Sequence, residues 1–173
     1  MIAYKGFTKD LTARLGSGTY QFRQGETFTE ESSKTASSGF HCCENPFECL
    51  SYYPLGQGNR FFQVEAAGSI DEDGSERISC TELTLIRELS VKELAGYGMM
   101  YMVQHPMREK WQQSRTHLSV CADEAAATCK DAIAIARGGH PKVKGAALAS
   151  AKHLVHYLEI ALEAEEQEED DEK

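Results

Sequence analysis

The side chains with the most chemical potential sit in one short segment. His41, Cys42, Cys43 and Cys49 lie close together, and Cys80 could join them in the fold. Thiolates and imidazoles are zinc ligands, and a thiol beside an imidazole makes a nucleophilic pair. The spacing argues against both. There is no C-x-x-C pair. Neighbours on a strand point to opposite faces, so His41 diverges from Cys42, and Cys42 from Cys43. His41 and Cys43 share a face but stand about 6 to 7 Å apart at Cα, and no nearby acid orients the imidazole. His41 therefore reads as a satisfied buried histidine pinning the Phe40 loop. The six cysteines read as reduced core thiols of an intracellular chain. No metal site is expected, and Cys121 and Cys129 have no ligand-like spacing either.

The elements around these residues follow from local pattern. Ile2 to Phe7 reads as a strand, Thr19 to Phe22 as a second and Gly39 to Cys43 as a third. Glu30 to Ser38 is rich in Ser and Thr and reads as a loop. Asn45, Pro46 and Glu48 form an N-cap, first-turn proline and capping acid, so a helix should start there and stop before Pro54. Phe47, Leu50 and Tyr53 would be its buried stripe. Arg60 to Ala66 reads as a strand, with Arg60 pairing Glu44 or Glu65. Asp71 to Gly74 is a turn. Ile78 to Leu89 is the longest strand candidate. Leu83 and Leu85 share one face there, and Cys80, Glu82, Thr84 and Ile86 the other. Ser90 and Glu93 make a second capping box, which starts a helix at Val91 that Gly96 and Gly98 weaken. Pro106 ends the apolar run after it, and Met107 to Gln113 reads as helical. The aromatic set Phe40, Phe47, Tyr52, Tyr53, Phe61 and Phe62 is first of all a core.

From Leu118 onward, short alanine-rich runs alternate with polar or glycine-containing breaks. Alanine favours helix. Gly138, Gly139, Pro141 and Gly145 interrupt any long one and fit the rungs of a short β-solenoid better. His153 to Leu162 reads as a closing helix or a last strand. Charge divides the chain further. The formal net charge is −9 over 173 residues. Glu163 to Lys173 contains eight acids and one lysine. The rest is close to neutral, and the acidic end reads as disordered. No basic surplus suggests nucleic-acid binding, no run is long enough to span a membrane, and the N-terminus has no signal-peptide pattern. A soluble cytoplasmic protein is expected.

Three blocks then carry a resemblance. The first is Tyr4 to Phe7 (YKGF), followed by Lys9 to Leu11, Tyr20 to Phe22 and Gly25. The second is Gly39 to Pro54 (GFHCCENPFECLSYYP). The third is Arg60 to Glu65 with Cys80 to Leu89. Together they resemble an uncharacterised domain family common in bacteriophage and prophage genomes, over about residues 1 to 95. Members of that family often continue into small-residue β-solenoid repeats that close with segments similar to Asp131 to Gly138 and Lys142 to Ala146. The resemblance implies a phage-type accessory protein that acts by protein binding, for instance as an inhibitor of a host defence system. Its partner would be a host protein, such as a nucleic-acid-handling defence complex, met in the host cytoplasm. No cofactor follows from this reading. The element order is also similar to the mono- and poly-ADP-ribosyltransferase layout. That likeness implies NAD as cofactor, with Glu82 as the catalytic glutamate, His41 and Tyr4 at the ribose and Tyr52 or Tyr53 stacked on the nicotinamide.

The expected architecture is α+β. It comprises a mixed or antiparallel sheet with two capped helices over residues 1–95, a helical linker over 96–117, a small-residue module over 118–162 and an acidic tail over 163–173.

Overall fold

The computed structural model describes residues 1–15, 18–72, 74, 77–105, 113–115, 117–121, 124–126, 132–136, 142–144 and 148–150. The sequence expectations for Met107 to Gln112, His153 to Leu162 and the acidic tail lie outside them. The chain divides into two compact units, Met1–Gly98 and Met99–Lys173.

The first unit is a mostly antiparallel sheet with short helices. Its strands are β1 (Ile2–Phe7), β2 (Thr12–Leu15), β3 (Gly18–Gln21), β4 (Thr27–Thr29), β5 (Phe40–Cys43), β6 (Arg60–Glu72) and β7 (Arg77–Leu89). β2 and β3 form a separate hairpin. In the main sheet β5 pairs with β1, β1 with β6, β6 with β7, and β7 with β5 again. The pairing therefore closes into a ring, with β4 attached to the outer part of β7 at Thr27↔Thr84. β6 and β7 make closure possible because they are long and carry register shifts at Gln63/Val64 and Ala67/Ile70. Such irregularities bend a strand and increase its twist.

Three sequence expectations change here. β2 and β4 lack the apolar runs that mark strands and are formed by pairing. β6 continues through Gly68 to Glu72, past the expected end at Ala66 and into the expected turn. Cys80 does not share the exposed face of Glu82: it is fully buried with Leu83 and Leu85. Alternation fails to predict this because Ile78, Ser79 and Cys80 are all buried, so β7 is covered on both faces where it pairs with β5.

The interior combines Ala3, Phe7, Phe22, Phe40, Phe62, Val64, Ala66, Ile78, Leu83 and Leu85 with Cys42 and Cys80. Its rings meet edge-on: Phe7 lies 5.1 Å from Phe22 and 5.5 Å from Phe62, centroid to centroid. Such pairs contribute about 0.5–1.5 kcal/mol each beyond the area they bury. Arg60 sits over the Phe62 ring and forms a two-pronged ion pair with Glu88, not with Glu44 or Glu65.

The capped segment after β5 has the expected extent but begins as a 3-10 turn. Asn45 Oδ1 accepts from the Phe47 N–H at 3.0 Å, and a 3-10 turn Pro46–Glu48 leads into one turn of helix, α1 (Cys49–Tyr52). The second capping box forms as its residues dictate. Glu93 Oε2 accepts from the Ser90 N–H at 2.6 Å, and Ser90 Oγ accepts from the Glu93 N–H at 3.2 Å. The helix it opens, α2 (Val91–Gln104), runs unbroken through Gly96 and Gly98. Gly98 has a packing reason: a Cβ there would stand 2.3 Å from the Phe47 ring.

The second unit contains β8 (Gln113–Arg115), β9 (Leu118–Cys121), β10 (Glu124–Ala126), β11 (Ile133–Ala136), β12 (Lys142–Lys144) and β13 (Leu148–Ser150). β9, β11 and β13 pair in parallel, β10 pairs with β12 in parallel, and β8 is antiparallel to β9. Gln113, expected at the end of a helix, begins a strand. All four residues of β11 are buried, so both its faces are covered. Parallel pairing with burial on both faces overrides the helical preference of alanine.

Candidate functional site: a lysine among thiols

Alternation along β1 sends Ala3, Lys5 and Phe7 inward. Lys5 therefore places its amine in a core position, only 7% exposed. Its backbone is opposite Phe62. Its Nζ donates to the carbonyl oxygen of His41 and lies 5.6 Å and 5.8 Å from the ring centroids of Phe7 and Phe22. No carboxylate pairs with it among the described residues. The titratable groups that act on it are thiols: Cys42, Cys43, Cys49 and Cys80. Burial holds the Lys5 amine below the usual lysine range, and the four thiols oppose that shift.

Two strand faces supply the thiols. Cys42 follows Phe40 on the inward face of β5, and Phe40 and Cys42 oppose Cys80 and Ile78 of β7. Cys42 and Cys80 are diagonal neighbours inside the ring, and the Cys42 thiol hydrogen-bonds to Cys80. Cys43 points the other way. There α1 supplies Cys49, and these two thiols also hydrogen-bond. The hydrogen bond to Cys80, then burial, pushes the Cys42 thiol well up. Cys80 is the easier of the pair to ionise. It accepts that hydrogen bond, feels the Lys5 charge, and is approached by the backbone at Ala67 and Glu82. As a thiol, Cys80 gives its own hydrogen to Phe40 O at 3.5 Å. Chemically this is an amine and thiols in a water-poor interior. Among the described residues no three His, Cys, Asp or Glu side chains are placed to hold a metal ion.

His41 belongs to this cluster through its carbonyl, while its side chain performs the loop-pinning task expected from sequence. Nε2 accepts from the Ala36 N–H at 2.9 Å, which fixes a neutral ring with the proton on Nδ1. Ala36 itself sits at φ +62, held in the Lys34–Ser38 turn. Burial, then Lys5 and Arg77, hold the imidazole below its ordinary value of 6.5. The unfolded chain thus takes up a proton near pH 6.5 that the folded chain refuses, so stability present above 6.5 is lost as pH falls through it. We expect wild type to lose more stability than His41→Gln between pH 7.5 and 5. Urea unfolding at the two pH values measures this, and equal losses would show that His41 contributes nothing to the pH dependence.

The other sequence candidates disperse. Tyr4 is on the outer face of β1 opposite Gln63, with its ring 5.5 Å from Tyr97. Burial and then Tyr97 push its phenol up to about 12. Tyr97 accepts from Arg87 at 2.8 Å, and Arg87 is also paired with Glu93. Tyr53 lies flat on Gly6, where a Cβ would come within 2.8 Å of the Tyr53 Cβ. Tyr52 is 56% exposed. Glu82 is exposed, with its backbone between Ala67 of β6 and Thr29 of β4. Among the described residues no hydrogen bond joins Glu82 to His41, Tyr4, Tyr52 or Tyr53.

Lys5 is the residue that sequence reasoning missed. The signal was present as parity: in Ala3, Lys5, Phe7 a lysine occupies the middle of an inward triplet.

These features define a small α+β domain, mostly antiparallel, with a ring-closed sheet and a polar cluster of one lysine and several thiols in its interior. Residues 1–97 match the family described as Domain of unknown function (DUF7666), and the chain belongs to that family. No curated protein and no solved structure matches it.

Proposed function

We propose that the protein acts by binding another protein through the outer face of its first unit, without catalysis, and that its parallel-paired second unit is a short β-solenoid carrying that domain. The observation behind this is the face that displays Glu82. Glu65 opposes Thr84 and Ile2, and Glu82 opposes Ala67 and Thr29, so both carboxylates share one sheet surface with Ile2 and the hydroxyls of Thr27 and Thr29. Glu65 and Glu82 are exposed, Ile2 is 51% exposed, and neither carboxylate is in an ion pair among the described residues. An acidic face around an apolar side chain suits a partner with a basic surface. A host protein of a nucleic-acid-handling defence complex has that character, and a phage-type accessory protein would meet it in the host cytoplasm. Charge complementarity of this kind raises the association rate and weakens with salt.

The test compares immobilised wild type, a chain ending before Glu163, and Glu65→Lys/Glu82→Lys, each challenged with host lysate at rising salt. We expect one protein retained by the first two, released by salt and absent from the third. Retention by all three would reject the acidic face. The alternative, ADP-ribosyl transfer from NAD, predicts NAD turnover by wild type that Glu82→Ala abolishes, and seeing it would overturn the non-catalytic reading.

A further inference from the structure

We propose that Cys42 and Cys80 form an oxidisable dithiol, which hydrogen peroxide converts into a disulfide linking β5 to β7. The register places them together: Phe40↔Cys80 and Cys42↔Ile78 make a block of four inward side chains, and the two sulfurs occupy one diagonal. Both belong to the same buried cluster, with Cys42 2% and Cys80 0% exposed.

Lys5 supplies what an ordinary pair of core thiols lacks. A proton passed from Cys80 to the Lys5 amine creates a thiolate and an ammonium in one interior, with no net charge left buried. The thiolate is the reactive form of cysteine. The ammonium keeps its bond to His41 O, so the lysine needs no rearrangement to act as counter-ion.

The chemistry balances without a bound cofactor. The Cys80 thiolate attacks one oxygen of hydrogen peroxide and the O–O bond breaks. Cys80 becomes a sulfenic acid, and the hydroxide that leaves takes the proton Cys80 gave up, forming water. The Cys42 sulfur then attacks the sulfenic sulfur, the S–O bond breaks, and the hydroxyl leaves with the Cys42 proton as a second water. Each thiol sulfur loses one electron and peroxide gains two. Burial restricts the oxidant to a small neutral molecule admitted by local opening.

The experiment uses the reduced full chain and hydrogen peroxide, followed by intact mass and peptide mapping under non-reducing conditions. We expect loss of two hydrogens and a Cys42–Cys80 cross-linked peptide. Lys5→Met should slow its formation by about tenfold, because the thiolate fraction falls. Cys42→Ser should leave a sulfenic acid on Cys80 that dimedone traps. If that variant does not fold, the wild-type map still decides. A cross-link at Cys43–Cys49 instead would overturn the proposal, as would a Cys42–Cys80 pair that stays reduced until urea unfolds the chain. This outcome does not depend on the protein-binding proposal: a failed cross-link leaves the acidic face untouched, and a failed capture leaves the dithiol untouched.

Discussion

Lys5→Glu is expected to unfold the first unit, whereas Lys5→Met should leave it folded. The lysine occupies an apolar interior with one carbonyl acceptor and two aromatic faces as its surroundings. Each is favourable for a cation and unfavourable for an anion. A carboxylate would face the His41 carbonyl oxygen and the negative faces of Phe7 and Phe22. A buried charge without a partner costs at least about 4 kcal/mol, a large part of the 5–15 kcal/mol that holds a domain together. Methionine has similar length and no charge. It leaves only the His41 carbonyl unpaired, at a cost of no more than about 2 kcal/mol. Urea unfolding followed by circular dichroism distinguishes the two. Equal stability for Glu and Met would show that Lys5 reaches solvent and that the polar interior described above does not exist.

Gly39→Ala is expected to cost about 2–4 kcal/mol, through two contributions that a control separates. Gly39 has φ +80, where a side chain strains the backbone. A Cβ there would also stand 2.7 Å from Ser79 Oγ, 2.8 Å from Cys80 O and 3.0 Å from Ser32 O. Two of those atoms are backbone and cannot rotate away. Gly25 has nearly the same φ, +78, and nothing within 4 Å of its Cβ position. Gly25→Ala should therefore show the conformational cost alone, about 1 kcal/mol. Similar midpoints for the two variants in thermal unfolding would mean that the loop over Ser79 gives way, and that the Ser79 Oγ hydrogen bond to Ser38 O does not hold it.

What could be read from the sequence was mainly local. Both helix starts were announced by their caps: Ser90 and Glu93 bond each other's backbone N–H, while Asn45 accepts from the Phe47 N–H and Glu48 turns instead to Ser51. The strands at Ile2 to Phe7 and Ile78 to Leu89 were legible from alternation and length. β2 and β4 were not, since Thr12–Leu15 and Thr27–Thr29 have too few apolar residues to declare themselves and exist because a partner edge is nearby. The buried position of Cys80 was hidden for a related reason: consecutive burial of Ile78, Ser79 and Cys80 comes from elements packed on both faces of β7, which alternation within one strand does not reveal. In the candidate site, His41 had been read both as a structural histidine and as a ribose contact, and its bond from the Ala36 N–H matches the first of these. Lys5 was passed over because a charged residue in a strand is ordinarily assigned to water, and only the closed ring puts its side of β1 in the core. In 132–136 alanine favoured helix while the glycine and proline breaks around it favoured short strands, and the parallel pairing itself was not legible because propensity is local and pairing is not.

The closed pairing also has a mechanical consequence. In an open sheet the outermost strand can detach at the cost of one ladder. Here β1, β5, β6 and β7 each border two others in the ring, β1 and β5 through the single pair Tyr4↔Cys43, so freeing any one of them breaks two sets of pairings and exposes the aromatic interior. The domain should therefore yield all at once under load, with its buried lysine and thiols reaching bulk water only in that event or in brief local openings. The three-residue strand Thr27–Thr29, which hangs on a single neighbour, is the part free to come away first.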